Sequence, residues 1–420
     1  MSINMGVTFF LVFFLYNFVA FSQGISSGFK FVRESQKFTR ISFKLANNLI
    51  VIPLFLNKNT DTLNFVLDTG VGTTIFIDST FLQIMRADTA KLRKVVVKGG
   101  GVGEVITSYL VPKQHLQIAN LVAAEQNVLV CSKTLHYISE YAGKYIHGIV
   151  GYDFFRNLVI KIDYIRKELL VYEPKYFEEK YFPKLKPSHV HRITLQKQKP
   201  YIWASYVNDR KDTIPLRLLI DTGAGHSVSL DIGTRKGIEL PQKHIQGNLG
   251  VAVNGAILGK IGRVKQFQIG KFSWLNVLVT FPDSLLVAFR DEGVSRNGSI
   301  GIGILERFDI TLSYPHCFIY FEPNLKYNKS FEIGFSGLEI VAKGKFYQEY
   351  KIVAIHPLSE AHKAGLQVGD EILVINNHFT SLLNISQVYE LLDAKEQMLN
   401  LLIRRAGKLQ IVTFRTKRII

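Results

Sequence analysis

The chain has 420 residues, of which 47% are apolar and 12% aromatic, with 30 Phe and 18 Tyr. That composition excludes extended disorder and supplies strand formers for about two to four separately cored units. The formal net charge is +17, but the residues from Asn324 onward carry 13 Lys+Arg against 9 Asp+Glu, so +13 is spread over the upstream chain with no basic tail. A diffuse charge of this kind marks a solvated basic surface, and no nucleic-acid partner is expected.

Residues 1–22 contain no Lys, Arg, Asp or Glu, and residues 7–21 are nearly all apolar. Ala20 and Ser22 put small side chains where a signal peptidase reads, so a secretory signal cut before Gln23 is expected. An uncleaved anchor is the rival reading, although the stretch is short for a span. No Cys follows it, which argues against a lipoprotein anchor, and no other segment has the length of a spanning helix.

Two strands, 48–55 and 201–207, are each followed by a polar turn, 57–61 and 208–212, and each pair reads as a hairpin. The apolar run Phe65-Val66-Leu67 then stops at Asp68-Thr69-Gly70, and the run Leu218-Leu219-Ile220 stops at Asp221-Thr222-Gly223, 153 residues later. A glycine-rich stretch follows each tripeptide. Gly99, Gly100, Gly101 and Gly103 mark the first, and Gly250, Val253, Asn254 and Gly255 the second. Gly148-Ile149-Val150-Gly151 and Gly298-Ser299-Ile300-Gly301 then lead to strands ending Glu173-Pro174 and Glu322-Pro323. Features recurring in one order define an internal repeat, with units 23–174 and 192–323 joined by a Lys/Pro/aromatic surface linker, 175–191. Cys131 and Cys317 fall one in each unit; they either pair or remain buried thiols, and the second reading is favoured. No His/Cys cluster has metal-ligand spacing, so neither a metal nor a cofactor is expected.

After Pro323 the polar stretch 324–330 opens a third unit, 324–420. A short helix over 357–364, a turn over 365–370, a strand over 371–375, a helix over 385–392 and strands over 399–404 and 410–416 are expected in it.

A strand that ends on Asp-Thr-Gly places a carboxylate on a tight turn. Two such half-sites facing across a pseudo-twofold axis bring two carboxylates onto one water, where they hold one proton between them. The paired units resemble the aspartic proteases, specifically retropepsin-like bacterial proteins with both halves in one chain. The resemblance rests on Leu67-Asp68-Thr69-Gly70 with Thr73 and Thr74, on Ile220-Asp221-Thr222-Gly223-Ala224-Gly225-His226-Ser227, and on the two Gly-x-x-Gly elements. Val71 and Ser299 depart from it, since Ala and an apolar residue are usual there. It implies a mainly β chain with two tandem retropepsin-like β-barrel lobes forming one bilobal acid-protease fold. It further implies that Asp68 and Asp221 are catalytic, that Thr69, Gly70, Thr222 and Gly223 support them, and that Gly100, Gly101, Gly103, Val253, Asn254 and Gly255 belong to flaps. The shorter run Gly337-Leu338-Glu339-Ile340, with Ala361 to Asn377, resembles an α+β PDZ domain of the type attached to envelope proteases, whose groove takes a C-terminal peptide as an added strand.

The implied protein is an exported aspartic endopeptidase acting on peptide or protein substrates in a bacterial periplasm, cell envelope or medium. It is expected to be a monomer with an intramolecular pseudo-dimer and no stable membrane span. The alternative is a non-catalytic peptide-binding or envelope scaffold protein of the same fold, which intact aspartates in both repeats argue against. Val71 and Ala224 stand where gastric-type relatives carry a hydroxyl, so the resemblance implies a less acidic optimum. His226 receives no role at this level.

Overall fold

In a computed structural model the chain is described over residues 27–97, 99, 101, 103–283, 294–332 and 334–419. The expected signal segment 1–22 and the flap candidate Gly100 lie outside these residues. The chain is mainly β and builds several sheets.

The two repeats build matching sheets. In the first, the strand Leu49–Leu56 pairs antiparallel with Leu63–Leu67, and that strand pairs in parallel with Gly148–Val150. In the second, Lys199–Val207 pairs antiparallel with Thr213–Ile220, which pairs in parallel with Gly298–Ile300. Phe65, Val66 and Leu67 are buried together, as are Leu218, Leu219 and Ile220. A strand covered on both faces needs an unbroken apolar run, which is why neither run alternates with polar residues.

A six-stranded sheet joins the repeats. Val159–Asp163 of the first pairs antiparallel with Phe308–Ser313 of the second, with Ile160 opposite Leu312 and Ile162 opposite Ile310. Phe38–Ser42 closes one edge and Val190–Arg192 the other. One buried apolar cluster runs through both repeats, so their cores are continuous.

The segment expected as a surface linker is more ordered than that. Pro174–Lys180 is a helix whose N-cap Glu173 accepts the N–H groups of Lys175 at 3.2 Å and Tyr176 at 2.9 Å. Pro174 fits its first turn, where no N–H is needed. Phe177 is buried between Tyr172 and Phe318, and the chain then adds its edge strand to the joining sheet. Those tertiary partners turn a polar connector into structure. Both cysteines are free; Cys131 is buried, but Cys317 is only half-buried on a tight turn.

The third unit has its own core. Its sheet contains Leu338–Lys343, Glu349–Ile355, Glu371–Ile375, Met398–Arg405 and Lys408–Arg415. The helix Ile385–Leu392 starts at Asn384, whose side chain and that of Gln387 cap each other's backbone N–H groups. The other expected helix is confined to Glu360–Lys363 behind the Ser359 cap. Among the described residues no helix is long and apolar enough to cross a membrane.

Candidate active site

Each Asp-Thr-Gly turn is held at both ends. Asp68 N–H donates to Val150 C=O at 3.0 Å and Asp221 N–H to Ile300 C=O at 2.9 Å, so the strand ends carrying the carboxyls are fixed by their parallel neighbours. The following glycine then turns its N–H back onto the side chain. Gly70 N–H donates to Asp68 Oδ1 at 2.7 Å and Gly223 N–H to Asp221 Oδ1 at 3.0 Å. A Cβ on Gly223 would stand 2.4 Å from the Asp68 carboxyl carbon, so the close approach of the two turns requires glycine.

The threonines bolt one turn to the other. Thr69 Oγ1 donates to Ile220 C=O at 2.6 Å and accepts Thr222 N–H at 3.0 Å. Thr222 Oγ1 donates to Leu67 C=O at 2.9 Å and accepts Thr69 N–H at 3.1 Å. Each hydroxyl is buried and fully used. The grip therefore obeys the twofold relation that the repeat suggests.

Asp68 and Asp221 meet at the base of a cleft, with a carboxyl oxygen of each beside Gly70. Both carboxyls bind a proton more tightly than an ordinary carboxylate. Burial, then the Asp221 charge, hold the Asp68 carboxyl well above the usual carboxylate range. Burial raises Asp221 too, but the Arg296 charge pulls it back. The pair therefore favours one proton held between the two carboxyls. Arg296 is itself paired at 4.0 Å with the buried carboxylate of Asp231.

The glycine-rich tips close over the cleft as a clasp. Gly101 N–H donates to Asn254 Oδ1 at 2.7 Å, and Asn254 Nδ2 donates to Gly101 C=O at 2.7 Å and to Gly103 C=O at 3.3 Å. The Tyr137 hydroxyl donates to Val253 C=O. Gly101, Gly103, Val253, Asn254 and Gly255 therefore converge from opposite repeats, at the ends of the hairpins Arg93–Val97/Ile106–Ile118 and His244–Ala252/Gly255–Ile269.

The four residues of the third unit are arranged differently. Leu338 N–H is taken by Ser336 Oγ at 3.2 Å. Ile340 gives its N–H to the Tyr389 hydroxyl at 3.1 Å and receives that hydroxyl on its C=O at 3.2 Å. The outer edge of Leu338–Lys343 lies against the helix His136–Ala142 of the first repeat, with Lys343 paired to Glu140 at 2.5 Å. Gly337, Leu338, Glu339 and Ile340 thus face partners within the chain, and an added strand would have to displace them.

Several site residues carried no recognisable signal in the sequence. Asp153 accepts from Thr73 Oγ1 at 3.1 Å, Thr74 N–H at 2.8 Å and Thr74 Oγ1 at 3.0 Å, bracing the first turn from behind. In the second repeat that brace is replaced. His226 Nε2 and Ser299 Oγ are 2.9 Å apart, which gives His226 a structural partner and explains a serine at an apolar position. Arg296, Lys199 and Tyr141 line the cleft with no local motif to announce them. Among the described residues no group of three or more His, Cys, Asp or Glu side chains is placed to hold a metal ion. In comparison with known proteins, no family model matches the chain and no curated protein matches it, so the two paired turns carry the functional reading.

Proposed function

We propose that the chain is an aspartic endopeptidase in which a water shared by Asp68 and Asp221 attacks the peptide bond. The observation that supports it most is the pairing of two half-buried carboxyls, both with raised proton affinity, beneath two converging flaps. The ionised partner takes a proton from the water while the protonated one donates to the scissile carbonyl oxygen. The tetrahedral diol then collapses as one of its hydroxyls returns a proton to the carboxylate that had donated and the proton taken from the water passes to the leaving amine, so the dyad is restored and no covalent enzyme intermediate forms. The flaps cover an extended substrate strand and exclude bulk water from this exchange.

On this reading the repeats are two retropepsin-like lobes of one bilobal fold and the third unit is a PDZ-like module. The chain works outside the cytoplasm, in a bacterial envelope or medium, and its hydrophobic leader supports that. The module's ligand is a C-terminal peptide, which has to displace the Tyr389 hydroxyl from Ile340 to enter. The test is digestion of a denatured protein with and without pepstatin, beside Asp68→Asn and Asp221→Asn proteins of native fold. Pepstatin-sensitive cleavage absent from both variants is expected. A wild type that cleaves nothing at any pH at which it stays folded sinks the proposal.

A further inference from the structure

The third unit touches the second flap arm, not only the first repeat. Asn248, in His244–Ala252, donates from Nδ2 to Glu339 Oε2 at 2.7 Å and accepts Gly250 N–H on Oδ1 at 3.2 Å. The register of that arm shifts between Asn248 and Val251, where Gly250 adopts a φ of 127° that favours glycine. Leu249 and Gly250 therefore bulge from the ladder, and both line the cleft. An unpaired bulge has no ladder to hold its shape; here one side chain holds it, and that side chain is held by Glu339.

The far end of this linkage is firm. Ile340, next to Glu339, is bonded through both backbone groups to Tyr389, and Lys343 on the same strand is paired with Glu140. Gly143 lies against Ile385, and Asn47 N–H donates to Ser386 Oγ at 3.4 Å. Tyr141, half-buried near Glu339, also has its hydroxyl next to Gly225 of the second Asp-Thr-Gly loop. The junction thus connects the third unit, the bulge and the floor of the cleft.

We propose that Glu339 is a positioning residue: through Asn248 it sets the Leu249–Gly250 bulge over the cleft, so the third unit completes the substrate-binding wall. The proposal rests on the protease reading for its kinetic consequence and on geometry alone for its structural one. Loss of the contact leaves the dyad untouched, so the effect falls on substrate binding and not on the chemical step.

The experiment uses the full chain with a fluorogenic peptide and, separately, amide hydrogen exchange over residues 247–252. Glu339→Ala and Asn248→Ala should each raise KM roughly tenfold, the scale of one half-buried hydrogen bond to a carboxyl group, with kcat within about twofold. Both should speed exchange in 247–252. The double variant should be little worse than either single, and Glu339→Gln, which keeps an acceptor toward Asn248, should restore most of the loss. Lys343→Ala, which loosens the same junction without touching Asn248, should leave KM and exchange near wild type. Additive effects, a Lys343→Ala protein equal to Glu339→Ala, or unchanged exchange in both alanine variants overturns the proposal. A wild type with no peptidase activity refutes the protease reading instead, and the exchange arm still decides the role of Glu339.

Discussion

Replacing Thr69 by Val tests whether the cross-axis grip holds the two turns together. Valine fills nearly the same volume but has no hydroxyl. Thr69 Oγ1 donates to Ile220 C=O at 2.6 Å and accepts Thr222 N–H at 3.0 Å, and the side chain is wholly buried. The substitution leaves one carbonyl and one N–H without this partner in a site closed to water. Each such group costs about 1–3 kcal/mol, so Thr69→Val should lose about 2–6 kcal/mol of unfolding free energy. That is a large share of the roughly 5–15 kcal/mol typical of a folded protein. Thr69→Ser keeps both bonds and should lose much less. Thr222→Val should match Thr69→Val because its bonds are the mirror image. The double variant should fall short of the sum, since the hydroxyls lie 3.5 Å apart and share one network. Urea unfolding followed by tryptophan fluorescence supplies the numbers. A Thr69→Val protein within about 0.5 kcal/mol of wild type, the scale of an ordinary surface change, would show that the grip is not what joins the turns.

Three further outcomes are expected. Asp68→Asn and Asp221→Asn should each abolish turnover, with the double variant scarcely worse, because the carboxyls act as one unit; near-wild-type kcat in either folded single variant refutes a shared water. Asp68→Asn should also resist urea better than wild type at neutral pH. The folded protein binds the Asp68 proton more tightly than the unfolded chain, so that contribution is full below about pH 3.9 and is lost as pH rises through the raised folded pKa. Asparagine has no proton to lose, so the gap should close in acid; a gap of opposite sign at pH 7 rejects the burial argument. Ala224→Ser should move the acid limb of the kcat/KM profile to lower pH, because a hydroxyl there would stabilise an ionised aspartate; a shift toward alkali rejects that reasoning.

The strands leading into both turns were legible because duplication supplied an internal control: a run of three apolar residues before Asp-Thr-Gly means little once and much more twice. The helix expected over 385–392 is observed at Ile385–Leu392, and the Asn384–Gln387 cap that fixes its start is a local feature needing no distant partner. What escaped is whatever depends on distant partners. The linker reads as polar and irregular, yet Phe177 finds Tyr172 and Phe318, and Val190–Arg192 finds a sheet edge. The glycines announced two hairpin tips, but the Asn254 clasp exists only because the tips come from opposite repeats. His226 gave no signal alone; it makes sense beside Ser299, 73 residues away. Nor does any local pattern in Leu338–Lys343 reveal that its free edge faces Glu140 and Tyr389.

The grip is symmetric and its surroundings are not, and that contrast has a chemical consequence on the proposed reading. Two identical half-sites give the shared proton no preferred owner. Here Asp153 braces the first turn through Thr73 and Thr74, whereas the second has His226 against Ser299 in place of a carboxylate. Arg296 acts on Asp221 from the second repeat, and the separate ion pair to Asp231 keeps that cation in a buried wall. On that reading Arg296, which favours the ionised form of Asp221, is placed to distinguish the two carboxyls. Which carboxyl activates water and which polarises the carbonyl decides the orientation in which a peptide bond is cleaved.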